Sequence, residues 1–357
     1  MSEIEMSEIN SESPRPERVA SVPDREFGPE HTVVVVIGRN EEHRLGRCLE
    51  SVLRQTSQVL YVDSGSTDHS REIAAGLGVE VVALDDSRPH SVARGRNAGV
   101  ERAMARFESV HHVQFLDGDC LLVDGWLEEV RDRFRQPQVA AVWGTGREER
   151  REASLFNRVC DIEWRVGPRG EIDWFIGITA ISVEAYLAAG GCTEGLLAGE
   201  DTELAIKIRA AGGLILRSSK ESFVHDVNMV SVRQWWKRCE RTGYSYAMVN
   251  AANKDHDLLG RELRRSEIVG LAIPLASLVA APPTRGLSLG LAPAIAARTI
   301  YKVSRQPDVV ALTPGDRLVW GVHCALSQYP QAGGVLRHKW RSLRAKQHTA
   351  IEYRRPT

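Results

Sequence analysis

Val113-Gln114-Phe115-Leu116-Asp117-Gly118-Asp119 is the stretch that decides how this chain folds. Its first four residues form an apolar run, and two carboxylates one residue apart close it. A strand ending this way can present both acids to one divalent metal, and a metal held there can grip a diphosphate. The tripeptide alone is common; Asp255-His256-Asp257 is a second such triplet, with no strand before it. What separates the two is the pattern around the first.

Upstream, Thr32-Val33-Val34-Val35-Val36-Ile37 is a continuous β-branched run of the kind that fills a buried parallel strand. Leu45, Cys48, Leu49, Val52 and Leu53 then fall on one helical face. Gln58 to Val62 is a second strand ending at Asp63, and Ser66-Thr67-Asp68 offers turn and N-cap chemistry for a helix reaching about Ala75. Val79 to Leu84 reads as a third strand, Ser91 to Arg106 as a helix, and Val113 to Leu116 as the fourth strand. Asp124 is placed to cap the next helix, and Val139 to Trp143 is a fifth strand. Strands alternating with helices imply an α/β, doubly wound, mostly parallel sheet. Ligands bind beyond the carboxyl ends of strands in such sheets, and Asn40, Asp63 and Asp117 all lie just past strand ends. Farther on, Glu200-Asp201 opens a helix with Leu204, Ile206, Ile208 and Ala211 as buried positions. Leu214 to Leu216 and Ser222 to Val224 read as two short strands, the second ending at His225, and Val232 to about Ala252 reads as a helix.

Composition bounds the function. The net charge is -1, which gives no global basic field for nucleic acid. None of the six cysteines stands at C-x-x-C spacing, so a zinc knuckle is not expected and a reducing, cytoplasmic compartment is. Residues 1–30 are rich in Ser, Glu and Pro without an apolar core, so a disordered leader is expected there and not a signal peptide. No G-x-G-x-x-G follows any strand, which argues against a dehydrogenase.

From Val33 to about Tyr246 the chain resembles the family 2 glycosyltransferases, nucleotide-sugar enzymes of GT-A fold. The resemblance rests on five pieces in order: a strand followed by Asn40-Glu41-Glu42; Val62-Asp63-Ser64-Gly65-Ser66-Thr67-Asp68; Ala93-Arg94-Gly95-Arg96-Asn97-Ala98-Gly99 ahead of Leu116-Asp117-Gly118-Asp119; Gly199-Glu200-Asp201; and Gln234-Trp235-Trp236-Lys237-Arg238. Ser64 stands where many members carry a second Asp, and the last piece departs from the family's Gln-x-x-Arg-Trp order.

The resemblance implies a Rossmann-like GT-A domain over residues 31–255 and a helical C-terminal region over 256–357. It also implies a role for each site residue. Asp63 would sit beside nucleobase and ribose; its local chemistry is equally that of a turn-forming Asp. Glu41 would border the nucleotide or simply open a helix. Arg96 would pair with a phosphate or with an acid of the pocket. Asp119 would hold Mn²⁺ or Mg²⁺ with Asp117 alongside. Asp201, or Glu200 in second place, would be the general base, although acids at a helix start also serve free backbone N–H groups. A late His in some members joins the metal, which is one reading of His225; a hydrogen-bonded structural His is the other. Of Trp235 and Trp236, adjacent on a helix, at most one can line a site.

The implied activity is inverting transfer from a nucleoside-diphosphate sugar, a UDP-sugar first, to a glycan or lipid-linked acceptor. A sugar nucleotidyltransferase would need a Gly-rich basic loop after the first strand, where Gly38-Arg39-Asn40-Glu41-Glu42 offers one Gly and two acids. A non-catalytic sugar- or lipid-binding scaffold is the other alternative, and the intact acids argue against it. Residues 268–297 hold one charge, Arg285, and Pro282-Pro283 splits them into stretches too short to span a bilayer. Arg261, Arg264 and Arg265 precede them and Arg298, Lys302 and Arg305 follow. An apolar hairpin is expected, in contact with the cytoplasmic face of a membrane, with a basic tail behind it that suits anionic lipids.

Overall fold

The computed structural model describes residues 31–196, 198–252 and 259–344. The leader, the triplet Asp255-His256-Asp257 and the end of the basic tail lie outside the described residues.

The β-branched run forms β1 (Thr32–Gly38), and six of its seven residues are buried. It pairs in parallel with β2 (Val59–Asp63) on one side and β4 (His112–Asp117) on the other, and β2 pairs in parallel with β3 (Glu80–Ala83). Alternation sends Val33, Val35 and Ile37 to one face, where Ala93, Val100 and Ala103 of the helix Val92–Arg106 cover them. Val34 and Val36 face the other way, onto Leu45, Cys48, Leu49 and Val52 of the helix Leu45–Leu53 and onto Trp126 and Val130. Both faces are therefore apolar and covered by helices, which is why these strands read as continuous hydrophobic runs.

Beyond β4 the sheet becomes mixed. Its order continues from β3-β2-β1-β4 through β8 (Ala180–Ser182), β6 (Val139–Glu148) and β9 (Leu214–His225) to β5 (Cys120–Leu122), with β7 (Gly170–Ile172) on β9. Short β8 (Ala180–Ser182) runs antiparallel between β4 and β6 (Val139–Glu148). β9 runs parallel to β6, while β5 (Cys120–Leu122) and β7 (Gly170–Ile172) run antiparallel to β9. The two short strands expected near residues 214–224 are one strand, β9, Leu214–His225. Its polar middle, Arg217 to Lys220, passes register shifts against β6 that let it continue. The helix after β5 is capped by the left-handed Gly125, while Asp124 pairs with Arg54 instead. In the helix Glu200–Ala210 the buried residues are Glu200, Glu203, Leu204, Ala205 and Ile208; Ile206 is half-buried and Ala211 exposed.

The long helix Val232–Ala252 carries the chain into a C-terminal helical layer and packs on the last helix, Gln328–Leu343. Gly243 faces the backbone of Gln331, and Gly334 faces the backbone of Glu240 and Tyr244, so the two helices touch main chain to main chain. An ionic cluster ties the layer to the helical segment that follows β6: Asp316 accepts from both Arg151 (2.5 Å) and Arg158 (2.6 Å). The 268–297 segment forms two short helical arms about a turn at Pro282-Pro283, and Ser277 is its only buried side chain. No helix among the described residues is long and apolar enough to cross a membrane.

Candidate active site

The site is assembled at the carboxyl ends of the strands. Asn40, just past β1, adopts a left-handed conformation (φ 58°) that Asn tolerates. Its side-chain oxygen accepts from the Thr67 N–H (2.8 Å), and its own N–H donates to Ser66 Oγ (3.0 Å). The loops after β1 and β2 are thereby clipped together.

Asp63 is fully buried within this clip. Its Oδ2 accepts from the backbone of Gly65 (3.2 Å) and Ser66 (3.0 Å) and from Arg71 Nε (2.7 Å), and its Oδ1 accepts from the Tyr61 hydroxyl (3.2 Å). Burial alone would raise its pKa, but the hydrogen bonds from Ser66 and Arg71 outweigh it and hold the carboxyl below the usual range. The turn chemistry read from the sequence is what its oxygens do. Beside it opens a cavity of about 690 Å³ lined by Arg39, Ser66, Arg71, Ser87, Arg88 and His90 among others.

Glu41 lies along the Asp-Gly-Asp triplet. Its carboxylate pairs with Arg44 at 2.6 Å, while a Cβ placed on Gly118 would sit 3.3 Å from its Cγ. The triplet turns tightly because the Gly118 N–H donates to the Ile37 carbonyl (2.8 Å), pinning it to the end of β1. Asp117 closes β4, and its pKa is pushed up to about 6 by burial and then by the charge of Asp119, with Arg96 opposing. Asp119 is 8% exposed.

Strand register brings His225 to Asp119. On one side of β9, His225 is paired with Cys120 of β5, the residue after Asp119; on the other it is paired with Glu148 at the end of β6. The imidazole Nε2 lies 3.4 Å from Asp119 Oδ2, and Nδ1 lies 2.6 Å from Glu148 Oε1. Burial would lower the His225 pKa; Asp119 and then Glu148 overcome it and raise it to about 10. The ligand atoms of Asp119, Cys120 and His225 all lie within 4.8 Å of one another. Burial and Asp119 push the Cys120 thiol well up, which keeps it protonated, so Asp119 and His225 are the donors of that group suited to a hard cation.

The second half of the site lies around Arg96, buried in the helix Val92–Arg106. Its Nη1 donates to Glu200 Oε1 (3.0 Å) and its guanidinium stands 5.6 Å from the Phe115 ring centre. Glu200, Asp201 and Asp117 all contribute to holding it charged against its burial. The resemblance left Arg96 between a phosphate and an acid of the pocket; the pairing seen is with an acid, Glu200. The neighbouring Asn97 braces the loop before Glu200, donating to the Cys192 carbonyl (2.9 Å) and accepting from the Cys192 N–H (3.0 Å). Asp201 is half-buried, and its Oδ1 accepts from the backbone of Thr202 (2.7 Å). Burial, then the charge of Glu200, raises its pKa to about 6. A helix start should depress an acid; here desolvation and a like charge win.

Two features have no mark in the local sequence. Glu148 lies in the charged run Arg147–Arg151, which reads as a solvated turn, and only register shows it buried against His225. Gly177 covers Arg96: a Cβ there would lie 2.6 Å from Arg96 Nη2 and 3.8 Å from Asp117 Oδ2. Trp235 is a core residue whose Nε1 donates to His323 (3.0 Å), and Trp236 is exposed.

The α/β sheet is of GT-A type and carries an Asp-Gly-Asp turn, a converging His and a separate raised carboxylate at the ends of its strands. Residues 33–179 match the family described as "Glycosyl transferase family 2", so this part of the chain is a glycosyltransferase domain of that family. Among solved structures it is similar to the mannosyltransferase PcManGT from Pyrobaculum calidifontis in complex with GDP-Man and Mn²⁺, at 17% identity over 87% of each chain with a TM-score of 0.55. It is also similar to residues 1–349 of TarS from S. aureus (13% identity, 88% of this chain and 92% of that one, TM-score 0.46). A third is glucosyl-3-phosphoglycerate synthase from Mycobacterium tuberculosis (17%, 65% and 85%, TM-score 0.46). No curated protein sequence matches the chain.

Proposed function

We propose that the protein is an inverting, metal-dependent transferase that moves a sugar from a nucleoside-diphosphate donor to an acceptor hydroxyl. The observation that carries this reading is the division of acids at one end of the sheet. Asp119 with His225, and Asp117 beside them, form one station; Asp201, with its raised pKa, forms another beyond Arg96 and Glu200.

The first station fits Mn²⁺ or Mg²⁺ by its chemistry: a buried carboxylate at Asp119, a half-buried one at Asp117 whose ionisation Asp119 makes costlier, and an imidazole nitrogen. Asp119 and His225 would hold the ion, with Asp117 alongside. When bound, the ion supplies positive charge against a departing diphosphate.

Asp201 takes the proton of the acceptor hydroxyl. The acceptor oxygen bonds to the anomeric carbon as the bond from that carbon to the diphosphate oxygen breaks, and the diphosphate leaves with the electron pair. Attack opposite the leaving group turns an α-linked donor into a β-linked product. Arg96 fixes Glu200, and through it the start of the helix that carries Asp201. The cavity beside Asp63 and Arg71, with Glu41 at the triplet, is the place for the nucleoside. A UDP-sugar is the first donor to test and a GDP-sugar the second, since the structurally similar mannosyltransferase is described with GDP-Man. The test is a panel of α-linked nucleotide sugars with Mn²⁺, followed by NMR of the anomeric proton. A β-linked product is expected; an α-linked product would overturn the mechanism.

The acceptor is proposed to be a glycan or lipid-linked sugar, with 268–297 resting on an anionic membrane surface. Support comes from the hairpin's exposed apolar tip, where Val279 is 80% and Leu287 84% exposed, and from the basic residues on both flanks. Flotation with anionic vesicles but not with neutral ones is expected. Equal recovery with both, or self-association without lipid, would overturn this part.

A further inference from the structure

Glu148 is an acid of the site held by three donors, and the proposed reaction does not use it. Its side chain is fully buried at the end of β6. Three donors converge on it: His225 Nδ1 (2.6 Å) and Trp164 Nε1 (2.8 Å) on Oε1, and the Val227 N–H (3.1 Å) on Oε2. The Trp164 ring stands edge-on to the His225 ring, with centres 5.5 Å apart and planes at 75°. The imidazole is therefore held at one nitrogen by a carboxylate and along its face by an indole. Its other nitrogen, Nε2, is left directed at Asp119 Oδ2.

A buried carboxylate with three donors is costly to build and has no partner Arg or Lys at those contacts. What it achieves is orientation. A carboxylate can only accept, so Nδ1 must carry hydrogen, and Nε2 is then the nitrogen that releases its proton when a cation binds. We infer that Glu148 is a positioning residue for the metal: it fixes the tautomer and the plane of His225 so that Nε2, together with Asp119, forms a ready-made pair of donors. The inference rests on the metal reading proposed above and adds to it a residue that never touches the ion. Carboxylates hydrogen-bonded behind a ligand imidazole typically contribute ~10–100-fold to metal affinity.

The experiment titrates Mn²⁺ into the full-length protein with UDP present and reads free Mn²⁺ by EPR, for wild type, Glu148→Gln and Trp164→Phe. Glu148→Gln is nearly isosteric but cannot accept from both nitrogen donors at one oxygen while leaving its amide satisfied. It is expected to weaken Mn²⁺ binding by ~10–100-fold. Trp164→Phe, which removes one donor and keeps the carboxylate on His225, is expected to lose far less. Mn²⁺ affinity of Glu148→Gln within twofold of wild type would overturn the inference. Failure of the wild type itself to bind Mn²⁺ would instead overturn the metal reading, so the two failures are distinguishable. A second measurement needs only wild type, so it holds even where Glu148→Gln does not fold. With ¹⁵N-labelled histidine and diamagnetic Cd²⁺, the His225 signals, assigned by their loss in His225→Gln, should show protonated Nδ1 and metal-bound Nε2. Metal on Nδ1, or no hydrogen on Nδ1, would overturn it.

Discussion

At the residue scale, Asp117, Asp201 and Asp63 are three carboxylates set apart by their surroundings. Asp63 is saturated by donors and held ionised, while Asp117 and Asp201 are both raised to about 6 by burial and a neighbouring acid. In the proposed reaction Asp201, the raised acid outside the proposed metal station, takes the proton. Asp201→Asn should lower kcat by ~10²–10⁴-fold and leave donor affinity, measured by calorimetry, largely unchanged. A carboxylate base works when deprotonated, so kcat/KM measured at saturating Mn²⁺ should fall as pH drops through about 6. At that metal concentration a cation held by Asp119 and His225 would keep Asp117 ionised, so the limb is expected to report Asp201. A limb that stays in place in a variant lacking Glu200, whose charge helps raise Asp201, would contradict the assignment. The sequence told these acids apart only partly. The places of Asp119 just past a strand end and of Asp201 at a helix start were legible from their order along the chain, and the turn chemistry of Asp63 was legible from Ser-Gly-Ser-Thr. Whether desolvation would beat the helix start at Asp201 depends on Arg96 and Glu200, which meet only in three dimensions.

At the element scale, the first four strands and their helices were legible because parallel strands covered on both faces write themselves as unbroken apolar runs. The later strands were not. β8 is three residues long, β9 hides a polar middle inside one strand, and antiparallel pairing sets their neighbours across long separations. Glu148 was missed for this reason: its partner lies across the β6–β9 register, and its own neighbours in sequence are charged. The close approach of the helices Val232–Ala252 and Gln328–Leu343 is equally non-local. In an exposed helix Gly334→Ala would stabilise; here the added methyl would run into the backbone at Glu240 and Tyr244. It should cost about 1–3 kcal/mol, read as a lowered thermal midpoint. An unchanged or raised midpoint would show that the two helices do not pack as described. Gly177→Ala, by contrast, should spare stability and lower kcat, because its methyl would press on Arg96 beside Asp117; a normal kcat would remove Gly177 from the site.

At the scale of the whole molecule, a mixed sheet gathers the ends of β2, β4, β6 and β9 into one edge, and a helical layer is fastened through Asp316 to the helical segment after β6. That layer packs the start of the apolar hairpin, where Gly270 meets Gln328 and Ala332, and leaves its tip at Val279 and Leu287 exposed. The central claim is that the edge formed by Asp117, Asp119 and His225 is a metal-dependent diphosphate site. The most direct test is calorimetric titration of UDP and GDP into wild type and Asp119→Ala, with Mn²⁺ and with chelator. Tight binding of at least one nucleotide by wild type only when Mn²⁺ is present, and its loss in Asp119→Ala, is the predicted result. Equal binding with chelator, or Mn²⁺-dependent binding that survives Asp119→Ala, would contradict it.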